Sequence, residues 1–298
     1  MAPKDMLVCL DPTDAGEARL RLAAALAREH HAHLSAALLL PEAIPGAPPR
    51  AAGAVIPPTS TAWMPQAGLV AGVPAQGVAP GLGAAAELEI ADIVEQRFRA
   101  ELEPHSIAGD WHQFGSGDSA EFAALLTAAD LVVLGQTSDD YRLPAGFRPE
   151  NVIVGSGRPV LVVPHAGEFA AIGRRVLIAW DGSREAARAL HDALPLIAKA
   201  EAAVVAGVSA REAQAERAHP SLDRIVRHLG RHGIPVRLEE IVGSDVPVAD
   251  LLLSRAADLD ADLIVAGAYH HSRFREALIG GVSRGLLDHM TVPVLMSH

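Results

Sequence analysis

Glycine, histidine and serine residues cluster near the carboxyl end of the chain in a pattern that could hold a phosphate group. In chain order, with the one valine among them, they are Gly267, His270, Gly280, Gly281, Val282 and Ser283. Glycine lets the backbone approach a ligand closely. The unpaired amides at the start of a helix favour anions. The pattern therefore predicts an anion-binding loop in this part of the chain.

The segments around this loop have the patterns of two strands and a helix. Leu263–Ala266 and Val292–Met296 are short apolar runs bounded by Gly or Pro, which is typical of buried parallel strands. Between them, Ile279–Met290 has the spacing of an amphipathic helix. The loop should therefore lie at the carboxyl end of a strand, where open α/β sheets bind their ligands.

This segment resembles the nucleotide-binding signature of the universal stress protein family. The signature is Gly, two residues, Gly, nine residues, Gly, then Ser or Thr, after the fourth strand. Gly267 and Gly280 fill the first and third glycine positions at the right spacing. His270 stands where the second glycine is expected, and Gly281 stands where Ser or Thr is expected. Ser283 remains as a candidate hydroxyl donor.

The resemblance implies a binding site for ATP or a related adenine nucleotide, with no metal specified. Carried over by position, Asp181 approaches the adenine and ribose, and the backbone at Val208 meets the adenine. Asp181 could equally cap the next helix. His270 could donate a hydrogen bond to phosphate or fill the pocket, and Gly281 still supplies its amide.

Two domains are expected from the length of 298 residues and from an internal repeat. Gly243–Gly267 matches Gly115–Gly135, and the closing segments RPVLVVP and TVPVLMS also match. The predicted domains are residues 1–167 and 172–298. The predicted fold class is α/β, with a five-stranded parallel sheet in each Rossmann-like or flavodoxin-like domain, of the adenine nucleotide alpha hydrolase-like type. The resemblance implies pseudo-twofold packing of the halves, as in the family's dimers, and leaves open a further homodimer.

The first half departs further from the signature. Gly135 is not followed by a second glycine at the required position, and Gly146 precedes Phe147 rather than Ser or Thr. We therefore expect a degenerate nucleotide site, with the first half acting as a structural partner. The stretch 141–157 is expected to be a loop.

A long insertion separates the second strand of the first half from the helix that follows. Residues 41–83 are rich in Pro, Gly and Ala and show neither helical nor strand periodicity. Trp63 and Met64 could anchor a protein partner, or the segment could be a tethered loop.

Composition excludes several classes of protein. The formal charge of −11 argues against general nucleic-acid binding. No apolar run approaches the roughly 20 residues that span a membrane, and the first residues lack a signal-peptide core. Cys9 is the single cysteine, which rules out an internal disulfide and predicts a cytoplasmic protein. Neighbouring histidines such as His30 and His31 could suggest a metal, but solvent-facing side chains are the simpler interpretation.

The resemblance implies a stress-response protein in which the nucleotide is a regulatory or structural ligand. One alternative is an interaction module of the same fold, with His270 filling the pocket and residues 41–83 recruiting a partner. Another is an enzyme that uses the same cleft. No P-loop, G-x-S-x-G motif or nucleophile–base pair supports that alternative. Slow ATP hydrolysis is compatible with the resemblance, but no residue set requires it.

Overall fold

The computed structural model describes residues 2–40, 84–115, 117–137, 143, 145–209, 220–242, 246–268 and 281–298. Predictions for Trp63 and Met64, and for His270 and Gly280, fall outside these residues. Strands and helices alternate along the chain, as the repeating apolar runs predict. The first half contains β1 (Asp5–Leu10), α1 (Asp14–His30), β2 (His33–Leu39), α2 (Ala84–Leu102), β3 (Trp111–Phe114), α3 (Ser119–Ala128), β4 (Leu131–Gly135), α4 (Pro149–Gly155) and β5 (Val160–Val163).

The second half follows the same order. Its elements are β6 (Arg175–Trp180), α5 (Arg184–Ile197), β7 (Ala202–Ser209), α6 (Pro220–Arg231), β8 (Val236–Val242), α7 (Val248–Asp258), β9 (Leu263–Gly267), α8 (Gly281–His289) and β10 (Val294–Ser297). Thr13 begins α1 and Ser183 begins α5, and each side chain accepts a hydrogen bond from a backbone amide of the first turn. The repeat seen in the sequence therefore extends to the helix caps.

All ten strands form one sheet, in the order β3-β2-β1-β4-β5-β10-β9-β6-β7-β8. Within each half the five strands are parallel, as predicted, and the halves have matching strand orders. The two sets meet where β5 and β10 pair in the antiparallel direction, with Leu161 opposite Leu295. The two five-stranded sheets that the sequence predicts are thus joined into one.

This antiparallel junction fixes where the two candidate sites lie. The strands of the first half point one way along the sheet, and those of the second half point the other way. Because ligands of open α/β sheets bind at the carboxyl ends of the strands, the two candidate sites lie at opposite edges of the sheet.

Helices cover both faces of the sheet. One apolar cluster packs α1, α2, α5 and α6 against one face, and a second packs α3, α4, α7 and α8 against the other. The central strands between them are buried on both sides, which explains their continuous apolar runs.

Helix α4 corrects the expectation that residues 141–157 form a loop. Pro149 occupies the first turn, where its missing N–H costs nothing. Val152 and Ile153 are buried against the sheet. The helix has seven residues, too few for a periodic pattern to stand out in the sequence.

Candidate functional site

Asp181 lies directly after β6, at the edge of the sheet where the strands of the second half end. The residue is exposed. Its Oδ1 accepts a hydrogen bond from the backbone amide of Ser183 at 2.9 Å. The cap of α5 is Ser183 itself, whose Oγ accepts from the amide of Ala186 at 3.0 Å. Asp181 therefore holds the turn before the helix and presents its carboxylate to solvent.

Gly267 ends β9 directly against the first turn of α5. A Cβ atom at this position would lie 2.4 Å from the backbone nitrogen of Ala186 and 2.6 Å from the carbonyl carbon of Glu185. Only glycine allows this approach. Strand β6 pairs with β9, so Gly267 brings the end of β9, the end of β6 and the start of α5 together.

Helix α8 begins at Gly281, where no atom of the described residues lies within 4 Å of a Cβ built on the glycine. Val282 is 38% exposed. Ser283 is only 5% exposed, so its hydroxyl lies away from the surface in this conformation. An anion at this helix start would therefore be held by the backbone amides and the helix dipole rather than by the Ser283 hydroxyl.

Val208 lies in β7, whose backbone continues the sheet beyond β6 and pairs Val208 with Ile241 of β8. The carboxyl end of β7 is therefore next to that of β6, where Asp181 follows. The backbone at Val208 and the Asp181 carboxylate lie at the same edge of the sheet.

Glu185 is a feature of this edge that the sequence analysis did not single out. Its side chain is 2% exposed and pairs with the Arg184 guanidinium. Its backbone lies against Gly267. The positive end of the helix dipole also stabilises a carboxylate that is buried in the first turn. The sequence feature that could have identified Glu185 is an acidic residue in the first turn of α5, next to its apolar face.

The corresponding cleft of the first half is occupied by an arginine. Arg19, on α1, is 4% exposed, and its guanidinium pairs with the carboxylate of Asp11. A Cβ atom at Gly135 would lie 1.6 Å from Nη1 of Arg19, so the guanidinium covers the end of β4. The Oδ1 of Asp11 also accepts from the amide of Thr13 at 3.0 Å.

One difference between the two halves decides whether the aspartate in this cleft has an internal partner. Asp181 corresponds to Asp11, and Ala189 stands eight residues after Asp181, as Arg19 stands eight residues after Asp11. Ala189 is fully buried and carries no charge. The carboxylate of Asp181 has therefore lost the internal partner that Asp11 has, and it faces solvent instead.

No other feature of the described residues is a stronger candidate for a functional site. A cavity of about 470 Å³ lies at the opposite end of the second half's strands, lined by residues such as Ala202 and Pro235. Nothing in the described part of the chain groups three or more His, Cys, Asp or Glu side chains for a metal ion. Among the same residues, no helix combines the length and apolar character that crossing a membrane requires.

Burial also decides the chemistry of the single cysteine. Burial raises the pKa of the Cys9 thiol to about 12, and the nearby Arg19 opposes this only in part. A thiol with that pKa stays protonated at neutral pH and is a poor nucleophile. Cys9 is therefore a core residue of β1.

The protein is a doubly covered α/β sheet with a candidate ligand site at the carboxyl ends of its strands, and known proteins resemble it in sequence and in fold. Residues 173–298 match the universal stress protein family. The universal stress protein Slr1230 of Synechocystis sp. is 25% identical over 56% of this chain and 57% of its own length. The chain thus spans little more than half of that relative. The second half of the chain is therefore similar to the universal stress protein family.

Solved structures share the fold over the whole chain. A universal stress protein from Archaeoglobus fulgidus DSM 4304 superposes with a TM-score of 0.68 at 17% identity, covering 100% of this chain and 96% of that one. A putative universal stress protein from Pseudomonas aeruginosa UCBPP-PA14 gives 0.57 at 16% identity, covering 99% and 93%. At these identities the likeness concerns the fold, and it includes the first half.

Proposed function

We propose that this protein binds ATP or a related adenine nucleotide in its second half and acts as a nucleotide-regulated stress-response protein. The observation that carries the proposal is the contrast between Asp181 and Asp11. Asp11 is paired inside the first half, whereas Asp181 is exposed at the equivalent strand end. A carboxylate at that position can accept hydrogen bonds from a ribose or a base.

The start of α8 supports the phosphate part of the proposal. Helix α8 begins at Gly281, and no described atom lies within 4 Å of a Cβ built on this glycine. The backbone amides of the first turn of α8 carry the positive end of the helix dipole. Residues 173–298 match the universal stress protein family, whose nucleotide-binding signature the glycine loop resembles. The departure at Gly281 removes a side-chain hydroxyl and keeps the backbone amide, whereas the departure at His270 adds an imidazole. The loss of one hydroxyl contact would cost about 0.5–1.5 kcal/mol, which weakens binding without preventing it.

The first half has a different role in this proposal. Arg19 fills its cleft, so residues 1–167 form a domain that supports the site without holding a nucleotide, and residues 172–298 form the binding domain. The arrangement is an intramolecular pseudo-dimer, and we propose a cytoplasmic location. A protein partner for residues 41–83 remains part of the alternative, an interaction module of the same fold.

Isothermal calorimetry with ATP tests the proposal through two matched tryptophan variants. Gly281→Trp places an indole at the start of α8. Gly230→Trp is the control, because Gly230 lies on the exposed face of α6, also with no described atom within 4 Å of a built Cβ. The wild type and Gly230→Trp should bind one ATP per chain, and Gly281→Trp should bind at least tenfold more weakly. Equal binding by all three, or no binding at millimolar ATP, would overturn the proposal and favour the interaction module.

A further inference from the structure

The first half holds the carboxyl end of helix α8 through a single buried side chain. Gln136 follows β4 of the first half and is 9% exposed. Its Nε2 donates to the carbonyl oxygen of Leu287 at 2.9 Å and to that of Asp288 at 3.1 Å. Both carbonyls belong to the last turn of α8, where helical carbonyls lack partners within the helix.

His165 fixes the orientation of this amide. The Oε1 of Gln136 accepts from the backbone amide of His165 at 3.2 Å and lies 2.7 Å from its Nδ1. A backbone amide can only donate, and the carbonyls of Leu287 and Asp288 can only accept. The oxygen of Gln136 must therefore face His165, and its NH₂ group must face α8.

The equivalent position of the second half does not make this contact. Ala268 follows β9 as Gln136 follows β4, and its backbone amide bonds the last strand of its own half, as that of Gln136 does. Its methyl group cannot donate a hydrogen bond to a helix of the first half. Gln136 of the first half therefore contacts a helix of the second half, whereas Ala268, at the equivalent position, has no side-chain donor for a helix of the first half.

We propose that Gln136 is a positioning residue through which the first half sets the placement of α8, and thereby the nucleotide affinity of the second half. The functional part of this inference rests on the proposed function. Leu287 and Gly281 belong to the same nine-residue helix. A displacement of the helix at Leu287 therefore also displaces the amides near Gly281. Anchoring the carboxyl end thus keeps the anion-binding end preorganised.

This role gives the first half a function although its own nucleotide site is degenerate. Gln136 belongs to the segment that should form the glycine loop of the first half, directly after Gly135. Arg19 occupies the cleft beside it. The strand end that would hold a ligand in the first half instead supports the helix that faces the ligand in the second.

Hydrogen exchange of the intact chain tests the anchoring independently of any nucleotide. Gln136→Ala removes both donors, and Gln136→Glu keeps the acceptor for His165 while placing a carboxylate against the carbonyls of α8. Gln96→Ala, at an exposed position of α2, is the matched control. Amides of residues 281–289 should exchange at least fivefold faster in both Gln136 variants and unchanged in the control. Unchanged exchange in the Gln136 variants would overturn the anchoring, whether or not the protein binds ATP.

Nucleotide titrations then test the coupling to the site. ATP affinity should fall about fivefold or more in Gln136→Ala, since one net hydrogen bond corresponds to roughly that factor. By linkage, ATP should shift the side-chain amide resonance of Gln136 in the wild type, which a purely structural contact would not require. Faster exchange with unchanged ATP affinity would overturn the coupling. A wild type that binds no ATP would instead refute the proposed function, while the exchange data still decide the anchoring.

Discussion

The guanidinium of Arg19 pairs with the carboxylate of Asp11 inside the cleft of the first half, directly over Gly135. Arg19 is 4% exposed and the side chain of Asp11 is 16% exposed, so this ion pair is largely shielded from water. A buried pair of this kind is sensitive to the loss of one partner, because the remaining charge cannot be solvated.

Asp11→Asn should therefore destabilise the protein by about 3 kcal/mol, because it leaves the buried guanidinium without a counter-charge. Arg19→Met should cost less than half as much, since Asp11 retains some access to water and methionine fills the space of the aliphatic stem. The double variant should be more stable than Asp11→Asn alone. Urea unfolding of the three variants measures this order, and single losses that simply add in the double variant would contradict a coupled pair.

Gly267→Ala should destabilise the second half by about 1–3 kcal/mol, because a methyl group would collide with the backbone of α5 at Ala186. The control is Gly230→Ala, which adds a methyl group on an exposed helix surface and should stabilise by about 0.5–1 kcal/mol. Thermal unfolding compares the two substitutions. A neutral Gly267→Ala would show that the start of α5 is not packed on the end of β9.

Acid should destabilise the protein partly through His228. Burial lowers the pKa of this histidine from its ordinary value of 6.5, and neighbouring His232, His191 and Arg231 lower it further. The ring lies 5.2 Å from that of His191 on α5 and 4.7 Å from that of His232 beyond the end of α6. The folded protein therefore binds this proton less tightly than the unfolded chain does.

This difference gives a defined pH dependence. The contribution of His228 to stability should be complete above about pH 6.5 and should decrease as the pH falls below that value toward the lowered pKa. His228→Gln should therefore lose less stability than the wild type between pH 7.5 and 5.5, as measured by urea midpoints. Identical losses in both proteins would contradict the prediction, as would an NMR titration that places the pKa of His228 at or above 6.5.

The sequence predicts the fold well because the core is regular. Most of the strands carry short apolar runs, and each long helix has a cap or a periodic face, so their positions agree with the structure to within a few residues. Helix α4 was missed because its seven residues combine one proline with a short apolar run. The joining of the two sheets was also missed, although fully buried β5 and β10 could not be solvent-exposed edge strands.

The candidate site is less predictable, because its decisive contacts join residues far apart in the chain. Arg19 looks like an ordinary polar residue of a helix, and only the fold places its guanidinium over Gly135, 116 residues later (135 − 19). Gln136 similarly finds its acceptors 151 and 152 residues away. The spacing of the motif identifies the strand ends at which a ligand could bind. Side-chain packing, which the spacing does not reveal, decides whether a side chain such as that of Arg19 fills a given strand end.

Counting bound nucleotides on the intact chain tests the central claim most directly. Native mass spectrometry of the protein with saturating ATP should show one nucleotide per chain, since Asp181 is exposed while Asp11 is held by Arg19. Asp181→Ala should reduce that occupancy, and Asp11→Ala should leave it at one in the fraction that remains folded. A chain that binds no ATP, or one that binds two with equal affinity, would contradict the account.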